Sequence, residues 1–540
     1  MARSPLMNLV QRIARTARVR ACEADGESAV PSSSRRTFVR QTLALASAAA
    51  LPLGAWPAPV RGAGAPRVVI VGAGLGGLCA AYELRKTGIV AELFEASPRA
   101  GGRCWSERRV FDGQIAERGG ELIDTAHEEI RALAGELGLA LDDLLAAEAK
   151  GSEALFVLSD GPYSLDAATS DFERMLPALD ADAKTLGEDL PTYKRATAAQ
   201  RALDRMSADR WIATRAPGGL ASPLGRLLAN AYIEELGGDL YEISAVSVIA
   251  LLRGSPRDRF SPYEESDQRY HVRGGNDQIV QRLASRLDER IATSERLVAI
   301  ARRGDGRCRL TFARDQSTHD EIADRVILAL PFTLLRQVDL ALAGFQPRKL
   351  KAIRELGMGR NTKLQLQFSE RLWERHNANG ETRVEGAFQT SWEATRAQVG
   401  PAGILNCFSG GSTATRAGEG ETDERAREAL ADLERALPGL SSLWNGRAIR
   451  NAWERYPWTL GSFSLLKPGQ YTTLNGVLHE REGNVHFAGE HTSEDWSGYL
   501  NGAVDSGQRA AKEVAAALRI RAHPRLERAR AAHSGALASA

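Results

Sequence analysis

The sequence predicts an α/β protein made of two interleaved domains. A short apolar run, a glycine-rich turn and a helix-like stretch follow one another near residue 70. A second apolar run ending in an acid comes next, and a further strand-turn-helix pattern lies at 484–514. Between them lie long segments with helical and alternating patterns. Two units built from such separated segments are the arrangement we expect.

The first element is an apolar strand, Val68–Val71, followed by G-x-G-x-x-G at Gly72, Gly74 and Gly77. The first glycine allows the tight turn, and the second removes a side chain that would block a pyrophosphate. Gly77 lets the helix pack closely on the strand. The helix predicted over Leu75–Arg85 points its N-terminus at the phosphates. The stretch therefore predicts dinucleotide binding.

The second apolar run ends at Glu95, where a carboxylate can accept hydrogen bonds from a ribose. Soon after come Gly101, Gly102 and Arg103, which permit another close backbone approach and offer a fixed cation. This order resembles the E-x(n)-GGR signature of the flavin-containing amine oxidases. The resemblance implies FAD rather than NAD, bound by a Rossmann-like domain.

The central chain predicts a second, mixed sheet-plus-helical substrate domain. Helical spacing appears at 127–137, 171–179, 182–203 with an interruption near Pro191, 223–236, 244–252, 278–287 and 424–437. Strand-like segments appear at 297–300, 308–312, 324–331, 363–368, 386–390 and 404–408. The segment around Gly274 and Gly275 indicates that the chain returns to the FAD domain.

The C-terminal pattern carries the strongest indication of chemistry. A short strand at 485–488 ends at Gly489 and Glu490, and Trp496-Ser497-Gly498-Tyr499 leads into a helix predicted over 501–514. A helix N-terminus aimed at the flavin would stabilise its anionic reduced form. The segment resembles the AGE-x(n)-WSGY motif of monoamine oxidases, and the whole resemblance covers about residues 66–516.

The resemblance assigns roles to particular residues. Tyr499 would be one wall of an aromatic cage that orients a neutral amine, and Lys363 would hold a water at flavin N5. Val298 would meet the adenine through its backbone. The residues implied to bind the cofactor are Gly72, Gly74, Leu75, Gly77, Glu95, Ala96, Gly102, Arg103, Gly119, Gly120, Val298, Trp453, Gly489, Glu490, Tyr499 and Leu500.

Two departures from the animal monoamine oxidases refine this prediction. Phe463 stands where those enzymes have the cysteine that bonds covalently to FAD, so we expect non-covalent FAD. Ser464 stands where they have the second cage tyrosine, which leaves the cage incomplete unless an aromatic such as Trp458 completes it. The usual monoamine substrate is therefore open to question.

The implied reaction is the two-electron oxidation of the C–N bond of a primary amine or polyamine to an imine, which hydrolyses to an aldehyde and ammonia, while dioxygen becomes hydrogen peroxide. An L-amino acid oxidase is the near alternative, although no arginine follows Gly119-Gly120 to bind a carboxylate. Glu121 and Asp124 could instead favour a basic or polyamine substrate. A flavin desaturase acting on C–C bonds and a non-catalytic FAD-binding protein are more distant alternatives.

The N-terminal region predicts export. Arg35 and Arg36 precede an apolar, alanine-rich run, and small residues at 63–65 offer an A-x-A-like cleavage site. This resembles a twin-arginine signal, which implies the twin-arginine machinery as a partner, removal of the leader, and a periplasmic or secreted enzyme.

The composition limits the other partners. A net charge of +2 gives no reason to expect nucleic acid, and no apolar run is long enough for stable membrane insertion. The cysteines and histidines show no metal-ligand spacing. A homodimer remains an expectation.

The predicted boundaries follow from these assignments. Residues 1–65 form the signal and leader, and 519–540 a basic tail. The FAD-binding domain is predicted at 66–135, 269–345 and 455–518, and the substrate domain at 136–268 and 346–454.

Overall fold

The computed structural model describes residues 5–24, 66–157, 163–253, 266–287, 291–384 and 386–518. They form two compact units, each assembled from separated segments. The mixed-sheet unit comprises the described residues of 5–24, 103–278 and 354–477. The parallel-sheet unit comprises those of 66–102, 279–353 and 478–518.

The helices of the described chain are numbered in chain order. They are α1 Pro5–Ala24, α2 Leu75–Lys86, α3 Glu128–Glu136, α4 Leu144–Ala147, α5 Leu165–Leu186, α6 Ala198–Arg205, α7 Ala208–Arg215, α8 Pro223–Leu236, α9 Ala245–Leu252, α10 Asp277–Leu287, α11 Phe332–Leu335, α12 Pro347–Glu355, α13 Leu372–Arg375, α14 Gly411–Ala417, α15 Thr422–Ala436 and α16 Leu500–Ala517. No helix among the described residues has the length and apolarity needed to cross a bilayer.

The strands are numbered in the same way. They are β1 Val68–Val71, β2 Ala91–Glu95, β3 Ser106–Glu107, β4 Ala116–Glu117, β5 Leu141–Asp143, β6 Glu153–Val157, β7 Tyr270–Val272, β8 Ile291–Thr293, β9 Arg296–Arg302, β10 Cys308–Arg314, β11 Ser317–Ala323, β12 Arg325–Leu328, β13 Asp339–Leu342, β14 Gly357–Met358, β15 Asn361–Phe368, β16 Ala378–Val384, β17 Thr390–Glu393, β18 Gly403–Gly410, β19 Trp444–Ala452, β20 Ser464–Leu465 and β21 Val485–Phe487.

The parallel-sheet unit is built on a five-stranded sheet of order β21-β12-β1-β2-β8, in which all pairs run parallel. Strand β1 is buried along its whole length, as expected for a parallel strand covered on both faces. A second sheet, β11-β10-β9-β13, belongs to the same unit.

Helices α2 and α16 pack closely within this unit because small residues line their contact. A Cβ added to Gly507 would lie 2.5 Å from the carbonyl oxygen of Gly76. Cys79 is fully buried, and its thiol lies 3.5 Å from the carbonyl oxygen of Val504. Cys79 is thus a small residue of the core. The contact ties the first and last segments of the unit together.

The mixed-sheet unit centres on a six-stranded sheet of order β19-β15-β18-β17-β16-β6. Alternate residues of β15 point to opposite faces. Leu364, Leu366 and Phe368 enter an apolar core that also contains Leu430 and Leu433 of α15. The opposite face therefore carries Lys363, Gln365 and Gln367, which are also buried.

The helical layer of this unit differs from the prediction in one respect. Residues 1–65 were expected to form a leader outside the folded domains, but α1 lies in the same apolar core as α5, α8 and α9. Its apolar side chains recur at helical spacing and find a complementary face there. The predicted signal at 34–65 and the basic tail at 519–540 lie outside the described residues.

Most predicted elements are present with shifted ends. The predicted break between helices near residue 180 is wrong, because α5 continues through Pro177 to Leu186 before the chain turns. The strand predicted at 386–390 instead begins at Thr390. Residues 103–135, 269–278 and 455–477, predicted with the FAD domain, lie in the mixed-sheet unit, whereas 346–353, predicted with the substrate domain, lie in the parallel-sheet unit. In the mixed-sheet unit, the side chain of Gln114 donates to the carbonyl of Ala402.

Candidate active site

The turn between β1 and α2 has the geometry that the glycine spacing predicts. Gly72 has φ +102°, and a Cβ there would lie 2.7 Å from the carbonyl oxygen of Ala329. A Cβ on Gly77 would lie only 1.9 Å from the carbonyl oxygen of Gly72. A Cβ on Gly74 would meet nothing within 4 Å. Gly72 and Gly77 are thus required by the fold, whereas Gly74 borders open space.

Glu95, the last residue of β2, holds the turn between β1 and α2 in place. Its carboxylate accepts hydrogen bonds from the backbone N–H of Ala73 at 2.7 Å and of Ser97 at 2.8 Å. A carboxylate has about four lone-pair positions, so two remain for ribose hydroxyls. Ala96 follows Glu95 and is half-buried. Glu95 therefore both fixes the loop and retains the capacity to bind a ribose.

The glycines after Glu95 return to the same turn. Gly101 donates its N–H to the carbonyl of Ala73 at 2.8 Å and bridges Gly74. Gly102 has φ +55°, and a Cβ there would lie 3.4 Å from the Cα of Gly74. The structure thus brings together the glycine loop, Glu95 and Gly102, all within the parallel-sheet unit.

Val298 lies at an irregularity of β9. The register with β10 passes from Ala299 to Leu297, so Val298 has no partner residue in β10. A β-bulge of this kind leaves a backbone unit out of the ladder. This agrees with the implied contact of its backbone with an adenine, which stays a prediction.

The C-terminal turn meets helix α2 in the same unit. Gly489 has φ +113° and donates its N–H to the hydroxyl of Ser506 at 2.9 Å. A Cβ on Gly76 would lie 3.1 Å from the nitrogen of Gly489. The buried Glu490 accepts the N–H of Gly498 at 2.8 Å. This bond fixes the bend of the W-S-G-Y segment.

Tyr499 is the N-cap residue of α16, which begins at Leu500. It makes no side-chain capping bond, and its ring lies edge-on to Trp496 with the centroids 6.4 Å apart. The N-terminus of a helix carries partial positive charge. Tyr499 belongs to the parallel-sheet unit, whereas Lys363 and Trp458 belong to the mixed-sheet unit.

In the mixed-sheet unit, Arg103 and the glycine pair at 119–120 form one group. Gly120 donates its N–H to the carbonyl of Arg103 at 3.1 Å. A Cβ on Gly119 would lie 1.8 Å from that same oxygen, so only glycine fits. The guanidinium of Arg103 donates to the carbonyl of Ser462 at 2.6 Å.

Lys363 lies in a buried ion pair. Its Nζ is 2.6 Å from Oε2 of Glu121, 2.9 Å from the carbonyl oxygen of Gly119 and 3.3 Å from that of Glu117. An ammonium has three N–H donors, which these acceptors match in number. Only 7% of the Lys363 side chain and 5% of the Glu121 side chain are exposed. The implied water-holding role of Lys363 stays a prediction.

The carboxylates considered for a basic substrate are engaged by the protein. The second oxygen of Glu121 accepts the indole N–H of Trp392 at 3.0 Å. Oδ1 of Asp124 accepts from the hydroxyl of Ser266 and the N–H of Gln268, both at 2.9 Å, whereas its Oδ2 is buried without a hydrogen-bond partner among the described residues. Burial raises the pKa of Asp124 to about 7. These bonds weaken the sequence argument for a polyamine.

Aromatic side chains gather next to the Gly119 turn. Trp453 is buried and donates its indole N–H to the carbonyl of Arg118 at 3.0 Å. Tyr456 lies edge-on to Trp453, with the centroids 5.3 Å apart. Trp458 is half-buried. Ser464 of β20 pairs with Met358 of β14, and its small side chain is buried.

Sequence reasoning missed several residues on the Lys363 face of the sheet. Cross-strand pairing places Phe408 opposite Lys363, and Asn406 between Gln365 and Trp392. The rings of Trp392 and Phe408 lie edge-on, 5.4 Å apart. The side-chain atoms of Asn406 are buried without a hydrogen-bond partner among the described residues. The signal available was the alternation in β18, which places Asn406 on the face away from Leu405 and Cys407.

Residues 75–515 match the family model for flavin-containing amine oxidoreductases. The chain belongs to this family. It is therefore a flavin-dependent oxidoreductase that acts on amines and uses FAD.

Individual proteins are similar to this chain over most of its length. A protein named as a flavin-containing monoamine oxidase in Mycobacterium tuberculosis is 28% identical over 471 residues, covering 84% of this chain and 97% of that protein. An L-amino-acid oxidase of Siganus canaliculatus is 27% identical, covering 83% and 85%. The structure of cyclohexylamine oxidase from Brevibacterium oxydans matches with a TM-score of 0.71 at 23% identity, covering 84% and 99%. That likeness confirms the predicted α/β fold.

The residues of this family member fit the cofactor. The space beside Gly74 is free of protein within 4 Å of an added Cβ, which leaves room for a pyrophosphate at the start of α2. The N-cap residues of α2 and α16 make no side-chain capping bond. Glu95 retains lone pairs for a ribose. Gly74, Gly102 and Glu95 would thus hold the dinucleotide portion.

Proposed function

We propose that this enzyme oxidises a primary amine to an imine, which hydrolyses to an aldehyde and ammonia, with dioxygen reduced to peroxide. When bound, FAD accepts the two electrons and passes them to dioxygen. The observation that supports the proposal is the buried face around Lys363, which also carries the rings of Trp392 and Phe408. Aromatic rings beside a substrate would favour a neutral amine with an apolar body.

A simple primary amine is favoured over a polyamine. A polyamine needs an anionic partner for its distal ammonium, and both oxygens of Glu121 already bind Lys363 and Trp392. The similarity to an L-amino-acid oxidase keeps that reaction as the second candidate.

The decisive experiment measures peroxide release and anaerobic bleaching of the flavin with primary amines, polyamines and L-amino acids. We expect both signals with apolar primary amines. Activity confined to amino acids would replace the first proposal by the second, and bleaching with none of the three classes would contradict both.

Variants of Lys363 test its part in turnover. Lys363→Met should slow turnover while FAD stays bound, because an ammonium is lost from the polar side of the buried face. Lys184→Met, at an exposed lysine of α5, is the matched control. Turnover in Lys363→Met equal to that of the control would exclude the role.

We also propose that FAD is bound non-covalently, since Phe463 cannot form a thioether. Denaturation should release yellow FAD into the supernatant.

We further propose that the protein is exported by the twin-arginine machinery to the periplasm or beyond. Replacement of Arg35 and Arg36 by lysine should abolish export in a twin-arginine-competent host, and unchanged export would contradict this proposal.

A further inference from the structure

One face of helix α1 is fully buried. Its inward side chains, each at most 4% exposed, are Leu6, Met7, Leu9, Val10, Ile13, Ala14 and Ala17. Among the side chains of α1 that the structure describes, Arg12, Thr16 and Arg20 are exposed, and Gln11, Arg15 and Val19 beside them are half-buried. One side of the helix therefore packs on the protein, and the opposite side meets solvent.

The partners of α1 lie in three helices of the mixed-sheet unit. Its apolar side chains share one core with Phe172 and Leu176 of α5, Leu228 of α8, and Val248 of α9. These residues come from sequence well beyond the leader. The face that α5, α8 and α9 present to α1, here called the leader-docking face, is therefore apolar.

Polar contacts at the rim fix the position of the helix. The side chain of Gln11 donates to the carbonyl of Leu251 at 3.1 Å. Arg18 pairs with Asp180 at 2.7 Å, and Arg20 with Asp166 at 2.9 Å. Exposed ion pairs add little stability, but their positions select one orientation of the helix on the face.

The packing of α1 argues against release of the whole leader after cleavage. The A-x-A-like site at 63–65 follows α1 in the sequence, so a cut there would sever α1 from the rest of the chain. Loss of the fragment would then expose the leader-docking face to water. A contiguous apolar face of this kind is unfavourable in a soluble protein.

We propose that the leader-docking face retains helix α1 on the folded enzyme, so that residues 5–24 remain bound whether or not the chain is cut after them. The occupant is this segment of the chain itself. The proposal stands on the packing of α1 and is independent of the substrate assigned above.

The test uses the full-length, FAD-loaded protein with a specific protease site inserted between residues 25 and 65. After cleavage, size-exclusion chromatography in native buffer is followed by mass spectrometry. We expect the N-terminal fragment to co-elute with the enzyme and to separate only in denaturant. Release of the fragment in native buffer from an enzyme that stays folded would overturn the proposal, as would its replacement by a second copy in a new dimer.

A matched pair of variants tests the contact itself. Ile13→Asp places a charge on the buried side of α1, whereas Thr16→Asp places the same charge on the exposed side. We expect the fragment to dissociate at least tenfold faster in Ile13→Asp and at the parent rate in Thr16→Asp. Equal rates in the two variants would contradict the docking.

A rim variant keeps the test valid should Ile13→Asp fail to fold. Arg18→Glu should speed dissociation several-fold by facing Asp180 with a like charge, and Asp180→Arg added to it should restore the parent rate. Failure of the second change to rescue the first would argue against the packed arrangement.

Discussion

Removal of the Glu121 carboxylate should destabilise the mixed-sheet unit. The variant Glu121→Ala leaves the Lys363 ammonium buried without its counter-ion, which lies 2.6 Å away in the wild type. Breaking a buried ion pair from one side costs about 3–5 kcal/mol. The indole of Trp392 loses its acceptor in the same variant.

This cost converts into a measurable shift. The described part of this unit has about 300 residues, which gives an unfolding entropy of about 0.6 kcal/mol per kelvin. The midpoint of its thermal transition should therefore fall by about 5–8 °C, as measured by circular dichroism or calorimetry.

Two further variants make the measurement specific. Asp189→Ala removes the partner of Arg195, a pair whose side chains are 76% and 73% exposed, and should cost at most about 1 kcal/mol. The double variant Glu121→Ala, Lys363→Met removes both buried charges and should recover much of the loss. A midpoint for Glu121→Ala no lower than that for Asp189→Ala would refute the reasoning.

Three other predictions concern the turn and the buried polar groups. Gly77→Ala should lower the thermal midpoint of the apoprotein, because the added Cβ would lie 1.9 Å from the carbonyl oxygen of Gly72. Gly74→Ala should leave that midpoint unchanged and weaken FAD retention, because a Cβ there meets no protein atom within 4 Å. Thermal midpoints and flavin absorbance after gel filtration check both variants. Burial raises the pKa of Glu234 to about 8 from 4.5, so its stabilisation is complete below about pH 4.5 and is lost as the pH rises to about 8. Glu234→Gln should therefore flatten the fall of the thermal midpoint over that range. Asn406→Leu should raise the midpoint, since it removes an unpaired buried amide that costs about 1–3 kcal/mol, and a lower midpoint would show that the amide is bonded.

Local features were predictable because they follow from local physics. Gly72 needs a positive φ and Gly77 lies against a backbone carbonyl, and both constraints are visible in the spacing of a strand-turn-helix sequence. The ion pair of Lys363 with Glu121 joins residues 242 apart, and no local pattern indicates it. Leu6, Val10 and Ile13 have helical spacing in the sequence, but residues 1–65 were assigned to an export leader, so no packed helix was predicted there. Its partners in α5, α8 and α9 become neighbours only in the folded chain.

The interleaving of the parallel sheet has a consequence for synthesis on the ribosome. Strand β1 pairs with β12, and β12 pairs with β21 at Val485–Phe487. At about 5–20 residues per second, roughly 20–80 s separate the emergence of β1 from that of β21. The nascent chain must keep the apolar strand Val68–Val71 from aggregating throughout that interval. Completion of the sheet, and with it the turn at Gly489, is therefore a late, nearly post-translational event.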